Sequence, residues 1–405
     1  MIIHRPEEER RINMSNKWVM IYGRRKTGKT FLVENFIDFD EYFFVKRDRS
    51  IISKENNRSM NYTTFIEIFR RLLNEEKIVV VDEFHRLGND FFDFLHHVKK
   101  QGKLILISST LFLSKELFSS RSSLLGFFTE APIGLIKLED CARKLKKFKI
   151  DKKELVELSV LLREPIAIDY FDEKKGAREI FTEVLIGSIK TIPALIGEIF
   201  AEEERSISGV YEGILRAIAN GKVVSGEISS YLFSRKLIKK DDPSIIQQYL
   251  NNLANFGIIK KIKVYNKNRF VYKHISPLVR IFYYADEKYN ISEREPLEKE
   301  IKEIVDDVLP KIVEDNIREF LARRYGLRES IIEGNDYDVD ACLLKFKKPE
   351  IVAEIKWKKE IKKRDIIKAE KNLSRLESKR KILFTPDKRN LSSNVLEIVD
   401  ISDFC

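Results

Sequence analysis

Eight residues near the start, Gly23-Arg-Arg-Lys-Thr-Gly-Lys-Thr30, constrain this chain more than any others. A short apolar run, residues 17–22, precedes them, and residues 31–37 follow with apolar side chains at helical spacing. A glycine-bearing turn between strand and helix points several backbone N–H groups at one place, where the helix dipole adds positive potential. The spelling G-x-x-x-x-G-K-[ST] is that of a phosphate-binding loop. Gly23, Arg24, Lys26, Thr27 and Gly28 are therefore expected to line the phosphates of ATP. Lys29 would reach the β- and γ-phosphates, and the Thr30 hydroxyl would hold Mg²⁺.

A second run, residues 77–81, is rich in valine and ends in Asp82 and Glu83. Enzymes with such a loop use the aspartate to hold Mg²⁺ and the glutamate to polarise the attacking water. Asp82 is thus assigned to the metal and Glu83 to catalysis. A third strand, residues 103–107, ends in Ser108-Ser109-Thr110, where Ser109 is expected beside the γ-phosphate.

The chain has 405 residues, long enough for two to four domains, with 75 Lys and Arg against 64 Asp and Glu. A charged share of 34% with an apolar share of 43% excludes a largely disordered chain. No apolar stretch approaches the roughly 18–20 residues a membrane helix needs, so a cytoplasmic protein without a membrane partner is expected. Cysteines at 141, 342 and 405 are too few and too scattered for a disulfide framework or a spaced metal site.

In order along the chain, Arg5-Pro-Glu-Glu-Glu9, the loop itself, Val79-Val-Val-Asp-Glu-Phe-His-Arg-Leu87 and Leu104-Ile-Leu-Ile-Ser-Ser-Thr110 resemble the archaeal ATPase family of the AAA+/STAND P-loop group. The resemblance spans residues 1–290 or so and implies a P-loop core with a parallel sheet over 1–132, a helical lid over 133–203 and a winged helix-turn-helix over 204–290. It also implies that Arg5 lies near the adenine. Two departures stand out. The family's Leu-Tyr-Gly-Arg element reads Leu124-Leu125-Gly126-Phe127, without the arginine, and its Gly-Gly-x-Pro reads Leu162-Arg163-Glu164-Pro165. A missing arginine finger costs about 10³–10⁵ in rate, so slow hydrolysis is expected. Arg121, Arg163, a second copy of the chain or a protein partner would have to supply the charge.

In the middle of the chain, residues 211–219, 226–232 and 244–255 read as helices, and 258–264 and 269–274 as a hairpin, the order of a winged helix. Gln247, Gln248 and Asn251 could then meet base edges, and Lys260, Lys261, Lys263, Lys267 and Arg269 phosphates. The same arrangement also serves as a rigid spacer or a protein dock.

Residues 291–405 read as an α/β domain. Helices are predicted over 297–308 and 311–325, then strands over 336–346 and 350–357. A turn at 347–349 would pair Phe346 with Glu350 and hence Asp340 with Lys356, placing Asp338, Asp340, Glu354 and Lys356 on one face. Asp340 and Glu354 are hard oxygen ligands for Mg²⁺ or Mn²⁺, and Lys356 could position the water that such a metal activates. This pattern resembles the PD-(D/E)xK nuclease superfamily, which implies a further acid from the preceding helix, at Glu314. From Lys356 to Lys381 there are 12 Lys or Arg and 4 Asp or Glu, a net +8 beside the proposed acids.

The sequence therefore predicts an α/β multidomain chain: an ATP-binding switch fused through a winged helix to a restriction-endonuclease-like domain acting on nucleic acid, with DNA the favoured partner. The alternative is a non-cleaving regulator that binds DNA or protein through a degenerate nuclease fold. A motor or helicase is disfavoured by the lack of further helicase-type motifs.

Overall fold

The computed structural model describes residues 1–99, 101–110, 124–202, 207–333 and 337–404. Its first sheet holds Trp18–Tyr22 (β1), Glu41–Val45 (β2), Ile51–Ser53 (β3), Arg58–Met60 (β4), Ile78–Asp82 (β5), Lys103–Ser108 (β6) and Phe128–Pro132 (β7), in the order β4-β3-β2-β5-β6-β1-β7. From β2 to β7 all pairings are parallel. Parallel strands need cover on both faces, which explains their unbroken apolar runs. Tyr62–Asn74 (α3) and Asn89–His97 (α4) cover one face through Phe65, Phe69 and Phe91. Pro6–Asn13 (α1) and Lys29–Phe36 (α2) cover the other through Ile12 and Leu32. The order matters for chemistry. β6 lies between β1, which feeds the phosphate loop, and β5, which ends in Asp82, so the carboxyl ends of all three meet.

Helices follow, as the sequence predicts: Leu138–Leu145 (α5), Lys152–Leu161 (α6), Ala177–Gly187 (α7) and Thr191–Glu202 (α8). After them come Gly209–Ala219 (α9), Ser225–Ser234 (α10), Gln247–Asn255 (α11), an antiparallel hairpin of Ile259–Val264 (β8) and Phe270–His274 (β9), and Pro277–Tyr289 (α12). The expected boundary at 203/204 falls outside the described residues.

The C-terminal part departs from the sequence reading in three ways. Where two helices are predicted, one 27-residue helix runs from Glu298 to Arg324 (α13), straight through Pro310. An internal proline costs about 3 kcal/mol. Here Ile304, Val305, Leu309, Ile312, Val313 and Ile317 are all buried along the helix, and that packing outweighs the lost hydrogen bond.

The second departure is the hairpin of Ala341–Lys345 (β12) and Lys348–Ile355 (β13). Its turn is two residues, Phe346-Lys347, and Cys342 pairs with Val352 rather than with Glu354. The register differs from expectation by two positions. Because side chains alternate with period two, an even shift keeps Asp340, Glu354 and Lys356 on one face.

The third concerns Asp338. Residues Asp338–Val339 (β11) pair with Ser330–Glu333 (β10) in a different sheet, so exposed Asp338 does not join the other acids. The chain changes sheets at Asp340. Residue 336, the predicted start of this strand, lies outside the described residues.

Lys363–Ser374 (α14) then crosses from β13 to Arg380–Phe384 (β14), which pairs in parallel with β13 and with Glu397–Val399 (β15). A pairing not foreseen in the sequence joins β8 in parallel to β10, with Ser330 opposite Lys263, so the β8–β9 hairpin and the C-terminal part share a four-stranded sheet. One hydrophobic core extends through Leu158 of α6, Ile214 of α9, Ile312 of α13 and Phe384 of β14. The described residues from 136 onward are thus packed together rather than strung as beads.

Ion pairs lock this assembly. Glu319 of α13 accepts from Arg163 and from Lys260 of β8, bringing three parts of the chain to one carboxylate. Burial pushes its pKa up, but Arg163 and Lys260 outweigh burial and hold it well below the usual carboxylate range. Glu319→Gln is expected to lower stability by roughly 2–5 kcal/mol at pH 7, because it leaves buried Arg163 without a carboxylate and Lys260 with Glu329 alone. A carboxylate depressed in the folded state contributes stability above its unfolded pKa of about 4.3 and loses it as pH falls. The gap between wild type and variant in urea unfolding should therefore narrow below about pH 4.

Candidate functional site

The phosphate loop is built as its spelling requires. A Cβ on Gly23 would sit 2.0 Å from the Ile133 carbonyl oxygen, and Gly28 caps α2 at φ 83, a left-handed conformation that side chains resist. The Lys29 ammonium donates to the carbonyls of Gly23 (2.9 Å) and Arg24 (3.0 Å). Burial pushes its pKa down to about 8, against the pull of Glu83 and Asp82. The Thr30 hydroxyl donates to Asp82 at 2.8 Å, so the two expected Mg²⁺ ligands already touch. Ser109 at the end of β6 donates to Glu83 at 3.0 Å. Above these groups lies a cavity of about 680 Å³, lined among others by Lys26, Thr30, Glu83 and Ser109.

A second cavity, about 250 Å³, adjoins Thr27 and Gly28 and is walled by Ile2, Ile3, Phe31, Phe36 and Ile168, suited to a flat apolar ring. Arg5 lines it. Its guanidinium donates to the carbonyls of Thr27 (2.8 Å), Gly134 (2.8 Å) and Leu135 (3.1 Å), so it shapes the cavity by fixing the loop.

Several residues at this site were given no role by the sequence. Tyr42 donates to Asp82 at 2.6 Å; burial and the Asp82 charge push its pKa up, so it remains a donor. Arg86 lies 3.3 Å from Glu83 and also donates to the Val45 carbonyl. His85 lies 3.4 Å from Glu83, and burial followed by the Arg86 charge pushes its pKa down to about 4, leaving it neutral at pH 7. Glu83 thus has three partners. The spacing of Arg86, three residues after Glu83, was the one available clue.

The proposed substitutes for the absent arginine fare differently. Arg121 lies outside the described residues. Arg163 is buried and bonded to Ile136, Asn316 and Glu319, so it serves the C-terminal junction and not the cavity. The loop's own Arg24 turns away from the cavity to Glu164 at 3.1 Å, and Arg25 pairs with Glu198 and Glu202 of α8.

The C-terminal acids gather where β12 and β13 approach α13. Asp340 accepts from the Ile355 N–H at 2.9 Å. Glu354 is 5% exposed, with one oxygen bonded to Lys356 and the other buried without a hydrogen-bond partner. Burial and then the Asp340 charge raise the pKa of both Glu354 and Glu314, while Lys356 and Lys311 oppose this. Burial disfavours the Lys356 charge, but Glu354 holds its pKa up. The three carboxylates and Lys356 therefore feel one another, and a hard cation would relieve the repulsion. As they stand, no three His, Cys, Asp or Glu side chains converge on one metal position among the described residues. The donor set fits a divalent cation in kind, while the side chains would have to turn toward it.

Nucleic-acid contacts expected from the β8–β9 hairpin are mostly engaged elsewhere. Lys260 pairs with Glu319 and Glu329, Lys267 and Arg269 bond Glu333, and Lys261 and Lys263 lie over the Phe270 ring. The cause is the β8–β10 pairing, which brings these acids to the lysines. On α11, Gln248 and Asn251 are exposed, whereas Gln247 is half-buried and donates to its own Pro243 carbonyl. On and before α14, Lys359, Lys363, Arg364, Lys368 and Lys371 are exposed and make no ion pair among the described residues.

Lys29→Ala should abolish nucleotide binding in a fluorescent-ATP titration. If Glu83 orients the attacking water, as the sequence predicts, Glu83→Gln should leave affinity within about threefold while slowing phosphate release, because it stays clear of the residues expected to hold the phosphates. Among known proteins, residues 15–133 match the family described as an AAA domain. An uncharacterized protein of Methanocaldococcus jannaschii, MJECL04, is 26% identical over 93% of this chain and 91% of its own length. The ADPNP–ADP complex of Aeropyrum pernix ORC2 aligns with 77% of this chain and 95% of its own at 14% identity and a TM-score of 0.40. A STAND protein with a tetratricopeptide repeat sensor from Pyrococcus horikoshii aligns with 79% of this chain and 51% of its own at 15% identity and a TM-score of 0.31. The phosphate loop, Asp82, Glu83 and Ser109 all fall within the stretch that matches the AAA domain.

Proposed function

We propose that this chain is an ATP-binding, slowly hydrolysing switch of the AAA+/STAND type that governs a metal-dependent nuclease domain. One observation carries the coupling. Helix α13 bears Glu314, which feels Asp340, and five residues on it bears Glu319, held by Arg163. The next residue, Glu164, holds Arg24 of the phosphate loop. The two sites thus share a short rigid connection, and γ-phosphate binding would compete with Glu164, Glu198 and Glu202 for Arg24 and Arg25. Coupling follows if ATP binds one arrangement more tightly than the other.

In this reading Lys29, with the loop backbone, holds the phosphates, Thr30 and Asp82 hold Mg²⁺, and Glu83 orients water. Ser109, His85 and Arg86 hold Glu83 in place, which supports slow turnover until a partner rearranges them. Helices α9–α11 with the β8–β9 hairpin act as a winged helix whose wing docks onto the C-terminal part. Any base reading then falls to Gln248 and Asn251. In the C-terminal part, helix α13 followed by the β12–β13 hairpin and the α14 crossover to β14 supports the PD-(D/E)xK reading. Asp340, Glu354 and Glu314 would hold Mg²⁺ or Mn²⁺, which supplies an activated water. Lys356 would stabilise charge on the attacked phosphate, and the basic face of α14 would hold the strand.

The unconverged carboxylates favour the rival, a non-cleaving binder. Incubation with plasmid and single-stranded DNA in Mn²⁺ or Mg²⁺, with and without ATP, separates the two. Metal-dependent cleavage should be lost in Asp340→Ala, and Mn²⁺ should raise the melting temperature of wild type but not of the variant. Equal mobility shifts without cleavage in both proteins would establish the binder instead.

A further inference from the structure

The tip of the β12–β13 hairpin is locally unfavourable in two ways at once. Phe346 and Lys347 form its two-residue turn with φ of 47° and 71°. That is a type I′ geometry, which selects Asn-Gly because both positions are left-handed. A bulky side chain there is a conformational outlier that stores strain. The ring is also 91% exposed and belongs to none of the hydrophobic clusters, so no packing compensates. Where local preference and structure disagree without a gain in stability, function is the reason to look for.

The surroundings indicate what the ring meets. Lys345, Lys347 and Lys348 flank it, all exposed and without an ion pair among the described residues. The adjacent acid, Glu350, is paired with Lys379. A protein-docking core excludes lysines, whereas a base with its flanking phosphates presents one flat apolar face within a cluster of negative charge.

We propose that this tip grips nucleic acid, Phe346 stacking on a base while Lys345, Lys347 and Lys348 hold the phosphates beside it. The proposal rests on the nucleic-acid reading above and gives it a second point of contact. Along β12, Phe346 lies six residues beyond Asp340, which the register sets opposite Glu354, about 20 Å at ~3.3 Å per residue. That is roughly six base pairs from the carboxylates at ~3.4 Å each, so the contact sets where along a strand the carboxylate site falls.

The test uses the full chain in EDTA and a fluorescein-labelled DNA duplex with a single-stranded extension. Replacing the turn with Asn-Gly (F346N with K347G) should leave the melting temperature unchanged or higher, since it relieves strain, yet weaken binding roughly tenfold or more. Phe346→Trp should keep affinity, and its fluorescence should be quenched on binding, as Trp18 and Trp357 are buried. Equal affinity of wild type and the Asn-Gly variant would overturn the hairpin contact while leaving the broader reading standing. A wild type that binds no DNA would overturn both. A concentration-dependent dimer lost in the Asn-Gly variant, with DNA binding intact, would assign the tip to a second copy and overturn the proposal.

Discussion

Two adjacent charged residues, Arg163 and Glu164, face opposite ways and tie the molecule together. Both are nearly inaccessible to water, and a buried charge persists only with partners. Arg163 finds its partners on α13, in Asn316 and Glu319, and Glu164 finds Arg24 on the phosphate loop. Removing Glu319 would take from Arg163 its carboxylate partner, and removing Arg24 would take from Glu164 its cation, so a shift of this segment has to exchange ion pairs at both ends. Buried ion pairs of this kind add little net stability over an apolar contact, but they admit few alternative arrangements.

The same helix explains why the C-terminal part is not an appendage. Asp315 of α13 is held well below the usual carboxylate range by Lys273, Arg318 and Arg280, which together outweigh its burial. Arg318 in turn donates to the Asp340 backbone carbonyl. The position of Asp340 is thus set by a network reaching into β9 and α12, in addition to its own strand. Trp357, just beyond Lys356, donates to Glu157 of α6 at 3.0 Å, so the strand end that carries Glu354 and Lys356 is anchored to α6 as well.

The phosphate loop was legible because its chemistry is local. Gly23 and Gly28 act through backbone geometry and Lys29 and Thr30 through their side chains, all within eight residues, and β1 and α2 on either side follow from apolar runs. Asp82, Glu83 and Ser109 were legible for a related reason, since each stands at the end of an unmistakable buried strand. Tyr42, His85 and Arg86 were not, because an ordinary aromatic, histidine or arginine acquires its role only when β2, β5 and β6 lie side by side.

In the C-terminal part the division is sharper. Sequence alone determined that Asp340, Glu354 and Lys356 share a face, because alternation depends on parity and survives a register two residues off. It could not determine that Asp338 leaves for another sheet, that α13 continues through Pro310, or that the β8–β9 lysines meet Glu319, Glu329 and Glu333. Those outcomes depend on pairing between β8 and β10, about 65 residues apart, and on burial of a whole helix face. Local pattern fixes which side a residue faces, whereas only the packed structure decides what it finds there.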